Sequence, residues 1–199
     1  MAHLSKLPDD ARASLARQIA ERLKPAAQKH IAAAERDVVA REEPIELGED
    51  FEVWTLGLDA AKTFDSPLES LATRTGYWHH LIRRGGRAGE FAASKLEGAN
   101  QEWRVHALFS SQLAEQIDRA IQWVDANDTS NATVRLLFVP ACALYAFWFL
   151  GDGGERIVVV SMPNESGKLR YEQFYRTRQF LELLVQQPAI SPFPPRPRP

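Results

Sequence analysis

The sequence predicts an α+β fold, in which a mainly antiparallel sheet of about six or seven strands carries packing helices behind an N-terminal helical segment. Three patterns support this class. The first 43 residues show apolar positions at helical spacing, residues 51–58 alternate with period two, and residues 134–150 form an apolar run followed by a glycine-rich turn and a β-branched run. The chain has 45% hydrophobic and 25% charged residues, which is ordinary for a globular protein.

Residues 1–43 are predicted to be a helical segment separate from the main domain. Its apolar positions fall into two stripes: Leu15, Ile19 and Leu23, then Ile31, Ala34 and Val38. Pro25 either separates two helices or kinks one. Because isolated helices of this length are marginal in water, we expect the segment to dock on the main domain, on a partner or on a sister chain.

Residues 44–187 are predicted to be a single α+β domain. Residues 51–58 indicate a strand, and the flanking runs around Gly85-Gly86 indicate a hairpin. Residues 103–109 indicate a strand that leads into an amphipathic helix capped by Ser110 or Ser111.

The apolar stretch "VRLLFVPACALYAFWFL" is predicted to be core. Its uninterrupted apolar run, residues 136–150, is shorter than the roughly 20 residues that a membrane-spanning helix needs, and Pro140 lies inside it. The pattern indicates strands over residues 134–139 and 144–150 and a return strand over 156–161. A helix is expected over residues 171–187.

Residues 188–199 form a proline-rich tail that is expected to be polyproline II or disordered. Phe193 could anchor this tail in an aromatic groove of a partner, while Arg196 and Arg198 could pair with acidic residues beside it.

Charge and cysteine content limit the partners and the compartment. The net charge of −2 gives no general attraction to nucleic acid or to an anionic membrane. A single cysteine excludes an intrachain disulfide framework and fits a reducing compartment, and the N-terminus lacks the apolar core of a signal peptide. We therefore expect a cytoplasmic protein, and the arginine- and alanine-rich composition is typical of a GC-rich bacterial genome.

The histidines are the first candidates for chemistry. Adjacent His79 and His80 on a strand point to opposite faces, so both cannot ligate one metal ion, and a site would need His106 or an acidic residue from a neighbouring strand. No zinc-ligand spacing is present in the sequence. We therefore expect neither a metal nor another cofactor.

Two further candidates each have a simpler alternative. Cys142 could form a reactive pair with a histidine, but its apolar neighbours favour a small buried residue. Arg83, Arg84 and Arg87 surround the Gly85-Gly86 turn and could bind a phosphate or carboxylate, although charged residues at a hairpin tip are commonly just solvated.

The leading functional hypothesis is a non-catalytic cytosolic protein-interaction protein, either an adaptor or an accessory subunit of a bacterial assembly. The chain contains no nucleophile elbow, P-loop or kinase signature, and catalytic residues remain unassigned. Its partner would be another protein or a sister chain, held by the N-terminal helices or the proline-rich tail. The alternative is an enzyme or a small-ligand or anion-binding protein that uses His79, His80, His106 and the Arg83–Arg87 turn.

Overall fold

A computed structural model describes residues 3–4, 7–30, 45–110, 112–163, 165 and 167–188. The α+β class is confirmed, and within these ranges the strands number nine, more than the sequence predicted. The helices are α1 Asp9–His30, α2 Leu68–Leu71, α3 Gln112–Asn127 and α4 Thr177–Leu184. The strands are β1 His3–Leu4, β2 Ile45–Thr55, β3 Thr73–Arg84, β4 Arg87–Glu97, β5 Glu102–Ser110, β6 Thr133–Val139, β7 Leu144–Leu150, β8 Arg156–Ser161 and β9 Phe174–Arg176.

The chain divides into two compact units. Among the described residues, the first unit contains 3–4, 53–75 and 119–188, and the second contains 7–30, 45–52 and 76–118. Strand β2 contributes its last three residues to the first unit and the preceding ones to the second.

The second unit is built on the strand order β5-β4-β3-β2. The predicted hairpin is confirmed: β3 and β4 pair antiparallel up to Arg84 and Arg87, and Gly85 and Gly86 have φ values of 53° and 79°. Two successive positive φ angles are typical of the tight turn that matches strand twist, and glycine adopts them without strain.

Helix α1 covers one face of this sheet. Its buried apolar side chains and Leu7, just before the helix, form one core with residues from β3, β4 and β5, comprising Leu7, Ala11, Leu15, Ile19, Ile82, Ala92 and Val105. The first predicted apolar stripe therefore docks within the chain. The helix continues through Pro25, while the second stripe (residues 31–38) and the predicted boundary at Pro44 lie outside the described residues.

The first unit contains the apolar stretch that the sequence assigned to core. The end of β2 pairs in parallel with β6, and β6, β7, β8 and β9 follow in antiparallel order. Trp148 at the centre of β7 has no exposed surface. The prediction of a core hairpin over residues 134–161 is confirmed.

The predicted helix over residues 171–187 is wrong for residues 171–176, because residues 174–176 form β9 and α4 begins at Thr177. Tyr175 is buried, and its hydroxyl accepts a hydrogen bond of 2.7 Å from the Arg170 N–H. Phe174 packs against the rings of Trp123 and Phe149. These tertiary contacts and pairing with β8 outweigh the local helical pattern.

No helix among the described residues is long and apolar enough to cross a membrane.

The tail residues proposed as partner contacts, Phe193, Arg196 and Arg198, lie outside the described residues.

The packing of α1 leads to the first prediction. Leu15 has no exposed surface, so Leu15→Ala should lower the free energy of unfolding by about 2–5 kcal/mol through lost burial and a residual cavity. Arg17→Ala, at an exposed position of the same helix, should change it by no more than about 0.5 kcal/mol. Urea unfolding measures both variants, and equal small effects would show that α1 contributes little to this core.

Candidate functional site

A chain of three buried polar side chains crosses the second unit. Asp50, His80 and Ser94 come from β2, β3 and β4, respectively. His80 lies opposite Ala92 in the β3–β4 register, and Ser94 lies two positions further along β4. Because side chains alternate along a strand, His80 and Ser94 face the same side as Ala92, which is the side covered by α1.

The hydrogen bonds of this chain are short and continuous. His80 Nδ1 lies 2.8 Å from Asp50 Oδ1, and His80 Nε2 lies 2.6 Å from Ser94 Oγ. The second oxygen of Asp50 accepts hydrogen bonds from the Arg12 guanidinium and from the Leu7 N–H. The Asp50 carboxylate thus connects β2, β3 and the start of α1, and Ser94 joins β4 to them through His80.

The environment of Asp50 favours its charged form. Burial alone would raise the pKa of Asp50, but the hydrogen bond and charge of His80, the charge of Arg12 and the Leu7 N–H together lower the pKa below its usual value. Arg12 also donates to the carbonyl oxygens of Leu47 at 2.8 Å and Gly48 at 2.9 Å. The guanidinium is therefore fixed to the β2 backbone as well as to the carboxylate.

The order serine–histidine–aspartate has the connectivity of a nucleophile, a base and an orienting acid. In this protein, however, His80 and Ser94 have no exposed surface and Asp50 is only 1% exposed. A substrate cannot reach Ser94 Oγ in this arrangement. The contacts therefore support a structural role, which is to join β2, β3 and β4 and to attach α1 to them.

The other two candidate histidines lie elsewhere. The His79 ring packs edge-on against Phe91 at 4.5 Å between centroids, and its Nδ1 has no hydrogen-bond partner among the described residues. Burial, together with the neighbouring His80, lowers the pKa of His79 to about 3. His106 Nε2 lies 3.1 Å from Glu97 Oε1 near the end of the sheet. The three histidines do not converge, and the described residues contain no group of three or more His, Cys, Asp or Glu that could hold a metal ion.

Two arginine side chains beside the Gly85-Gly86 turn bind separate carboxylates. Arg83 pairs with Glu49 at 3.0 Å and with Asp118 at 2.6 Å, and Arg84 pairs with Glu90 at 3.2 Å. The charges of two of the three guanidinium groups are therefore offset by carboxylates. Anion binding by Arg83, Arg84 and Arg87 stays a prediction.

Cys142 is a buried residue in the first unit, as its apolar neighbours indicated. Its thiol faces the Val139 carbonyl oxygen at 3.8 Å, and burial raises its pKa. A raised pKa leaves less thiolate at neutral pH, so Cys142 is poorly suited to nucleophilic chemistry.

An open groove of about 820 Å³ runs between α1 and β5 in the second unit. The lining residues from α1 and the chain just before it include Pro8, Asp10, Ser14, Gln18 and Arg22, and the opposite wall is formed by Glu97 and residues 101–106. Strand β5 is last in the strand order of this unit, so the groove follows the outer side of a terminal strand.

The Gln18 side chain is hydrogen-bonded to the backbone of β5. Its Nε2 donates to the Trp103 carbonyl oxygen at 2.9 Å, and its Oε1 accepts from the Val105 N–H at 3.1 Å. The side-chain amide thus makes the pair of bonds that one residue of a neighbouring parallel strand would make with its own N–H and C=O. Sequence analysis missed Gln18, because a glutamine among charged helix residues has the pattern of solvated surface.

The charged residues of the groove fall into two kinds. Glu97 pairs with His106, and Glu102 lies 3.6 Å from Arg104. Asp10 and Arg22 are exposed and form no ion pair with another described residue. Among the described residues that line the groove, they are the acidic and the basic side chain without an ion pair.

The chain matches no known protein-family model, and a comparison with curated proteins likewise finds no match.

The buried chain predicts a stability effect for Ser94. Ser94→Ala should lower the free energy of unfolding by about 1–3 kcal/mol, because His80 Nε2 loses its buried partner. Ser70→Ala removes an exposed hydroxyl and should change this free energy far less. Urea unfolding measures both variants, and an unchanged value for Ser94→Ala would contradict the structural role.

The lowered pKa of His79 predicts a pH dependence. The folded value of about 3 lies below the unfolded value of about 6.5, so this contribution to stability is complete above pH 6.5 and is lost as the pH falls toward 3. The loss for this one group should approach about 1.4 kcal/mol per pH unit. His79→Leu should remove this part of the acid sensitivity. Unfolding curves at pH 7, 5 and 4 test this, and parallel losses in both proteins would contradict it.

Proposed function

We propose that this chain is a non-catalytic protein-interaction protein whose α1–β5 groove binds an extended segment of a partner protein. The observation that carries the proposal is the pair of hydrogen bonds between the Gln18 side-chain amide and the outer backbone of β5.

A primary amide has the same N–H donor and C=O acceptor as a peptide group. Because Gln18 satisfies Trp103 and Val105 at 2.9 Å and 3.1 Å, these backbone groups are spaced to pair with the N–H and C=O of one residue of a parallel strand, which would displace the Gln18 side chain. Addition of a strand to a sheet edge is a recurring mode of peptide recognition, in which backbone hydrogen bonds supply much of the affinity. The adjoining groove has room for such a segment.

We further propose a cytoplasmic adaptor or an accessory subunit of a bacterial assembly. The single cysteine supports a reducing compartment, and the arginine-rich composition supports a bacterial source. The polar groove favours a partner recognised through its backbone rather than through a large apolar anchor.

An enzyme is the second candidate, and the Asp50–His80–Ser94 chain is the observation that favours it. Catalysis would require α1 to move so that a substrate could reach Ser94. A fluorophosphonate probe, which phosphonylates activated serines, separates the two functions. Labelling of Ser94 in the folded protein would support the enzyme, whereas its absence would support the structural role of the chain.

Blocking the groove tests the interaction. The probe is a fluorescein-labelled nine-residue peptide of alternating threonine and valine, with binding followed by anisotropy. Ser14→Trp places a large ring in the groove and should weaken binding at least tenfold, whereas Ala13→Trp, at an exposed α1 position outside the groove, should not. Peptide N-methylated at alternate residues should also bind weakly, because it lacks the N–H donors on one side.

Backbone amide chemical shifts of the protein, compared with and without peptide, locate the binding site. The expected changes fall on residues 102–106. Absence of saturable binding, or equal binding by the N-methylated peptide, would overturn the proposal. A second copy of the chain as the occupant would instead appear as self-association that Ser14→Trp abolishes and Ala13→Trp does not.

A further inference from the structure

We propose that the Gln18 side chain is an autoinhibitory contact, which occupies the peptide-pairing groups of β5 and must be displaced before an extended segment can bind. This inference rests on the proposed function and adds the regulation of the same site. It derives from the two hydrogen bonds of the Gln18 amide, at 2.9 Å to the Trp103 carbonyl oxygen and at 3.1 Å from the Val105 N–H.

Gln18 and a ligand strand compete for the same two backbone groups. One residue of a parallel strand would donate its N–H to the Trp103 carbonyl oxygen and would accept from the Val105 N–H with its C=O. In the free protein the Gln18 amide makes both of these bonds. The closed and the ligand-bound arrangements therefore exclude each other, and the apparent affinity is the intrinsic affinity reduced by the fraction of molecules in which Gln18 is displaced.

The Gln18 amide has other partners once it is displaced. The side chain is only partly buried and lines an open groove, so water can satisfy its donor and acceptor. Its Nε2 also lies 3.5 Å from the Oγ of Ser14, one turn earlier on α1. Leu15 and Ile19 have no exposed surface and pack on the sheet without Gln18. The amide can therefore change partners while α1 stays docked.

A purely structural role of Gln18 is the competing explanation. If the amide only attaches α1 to β5, its removal should loosen the groove and weaken peptide binding, or leave it unchanged. Autoinhibition predicts the opposite sign, because removal of the amide leaves fewer bonds to break before the peptide can pair. The direction of the change in peptide affinity separates the two roles.

The experiment measures binding of the fluorescein-labelled threonine–valine peptide to the full chain by anisotropy. Gln18→Ala should bind the peptide about five- to thirtyfold more tightly than wild type, because two partly exposed hydrogen bonds no longer compete. Gln18→Met keeps the length of the side chain but removes both bonds, and its affinity should change in the same direction. Gln112→Ala makes the same chemical change at an exposed position of α3 outside the groove and should bind as wild type does. Urea unfolding checks that each variant is folded.

A second measurement uses the wild-type protein and needs no substitution. The side-chain NH2 signal of Gln18 should shift as the peptide saturates the groove, because its bond to the Trp103 carbonyl oxygen is broken. The Val105 N–H should be protected from hydrogen exchange before and after binding, since one partner replaces the other. In free Gln18→Ala this N–H should exchange faster, and added peptide should restore its protection.

The outcomes separate autoinhibition from the function on which it rests. If the peptide binds Gln18→Ala no more tightly than wild type, or if saturating peptide leaves the Gln18 side-chain signal unchanged, autoinhibition is overturned and the peptide-binding function stands. If wild type, Gln18→Ala and Gln18→Met all fail to bind the peptide, the proposed function itself fails.

Discussion

The second unit depends on one buried charge, the carboxylate of Asp50. An ionised carboxylate removed from water is costly unless it is paired and fully hydrogen-bonded. Here His80, Arg12 and the Leu7 N–H supply the partners. Each partner belongs to a different part of the unit, so satisfying this carboxylate fixes β3, the start of α1 and the chain before it together with β2. Loss of any one partner would leave part of the charge uncompensated.

The position of Arg12 determines what the rest of α1 can reach. Once Arg12 is held at β2, Leu15 and Ile19 follow at helical spacing on the buried side. Gln18 is one position before Ile19, about 100° around the helix, and so lies at the border of the buried stripe beside β5. There its amide pairs with the Trp103 C=O and the Val105 N–H of a terminal strand, which would otherwise present unpaired backbone groups. The same contact thus guards the strand and defines the chemistry that a ligand strand would use.

Local patterns were sufficient for much of the fold. The hairpin at Gly85-Gly86 followed from turn chemistry, and the core strands over residues 134–150 followed from an apolar run that includes a proline and precedes a glycine turn. They failed for β9, because residues 171–187 have helical periodicity throughout. The strand at residues 174–176 is decided by pairing with β8 and by the burial of Tyr175, which are contacts that no local window contains.

The candidate site was less predictable for the same physical reason. Strand alternation correctly placed His79 and His80 on opposite faces, but it could not identify their partners. Asp50 and Ser94 are 30 and 14 positions from His80, and only the strand register brings them within hydrogen-bond distance. Gln18 is 85 positions from Trp103. The chemistry of both the buried chain and the groove therefore arises from long-range register, while residue type at each position indicates only burial or exposure. For this reason the more suggestive sequence cluster, His79-His80, supplies structural groups, whereas an ordinary surface glutamine identifies the strand edge on which the proposed function rests.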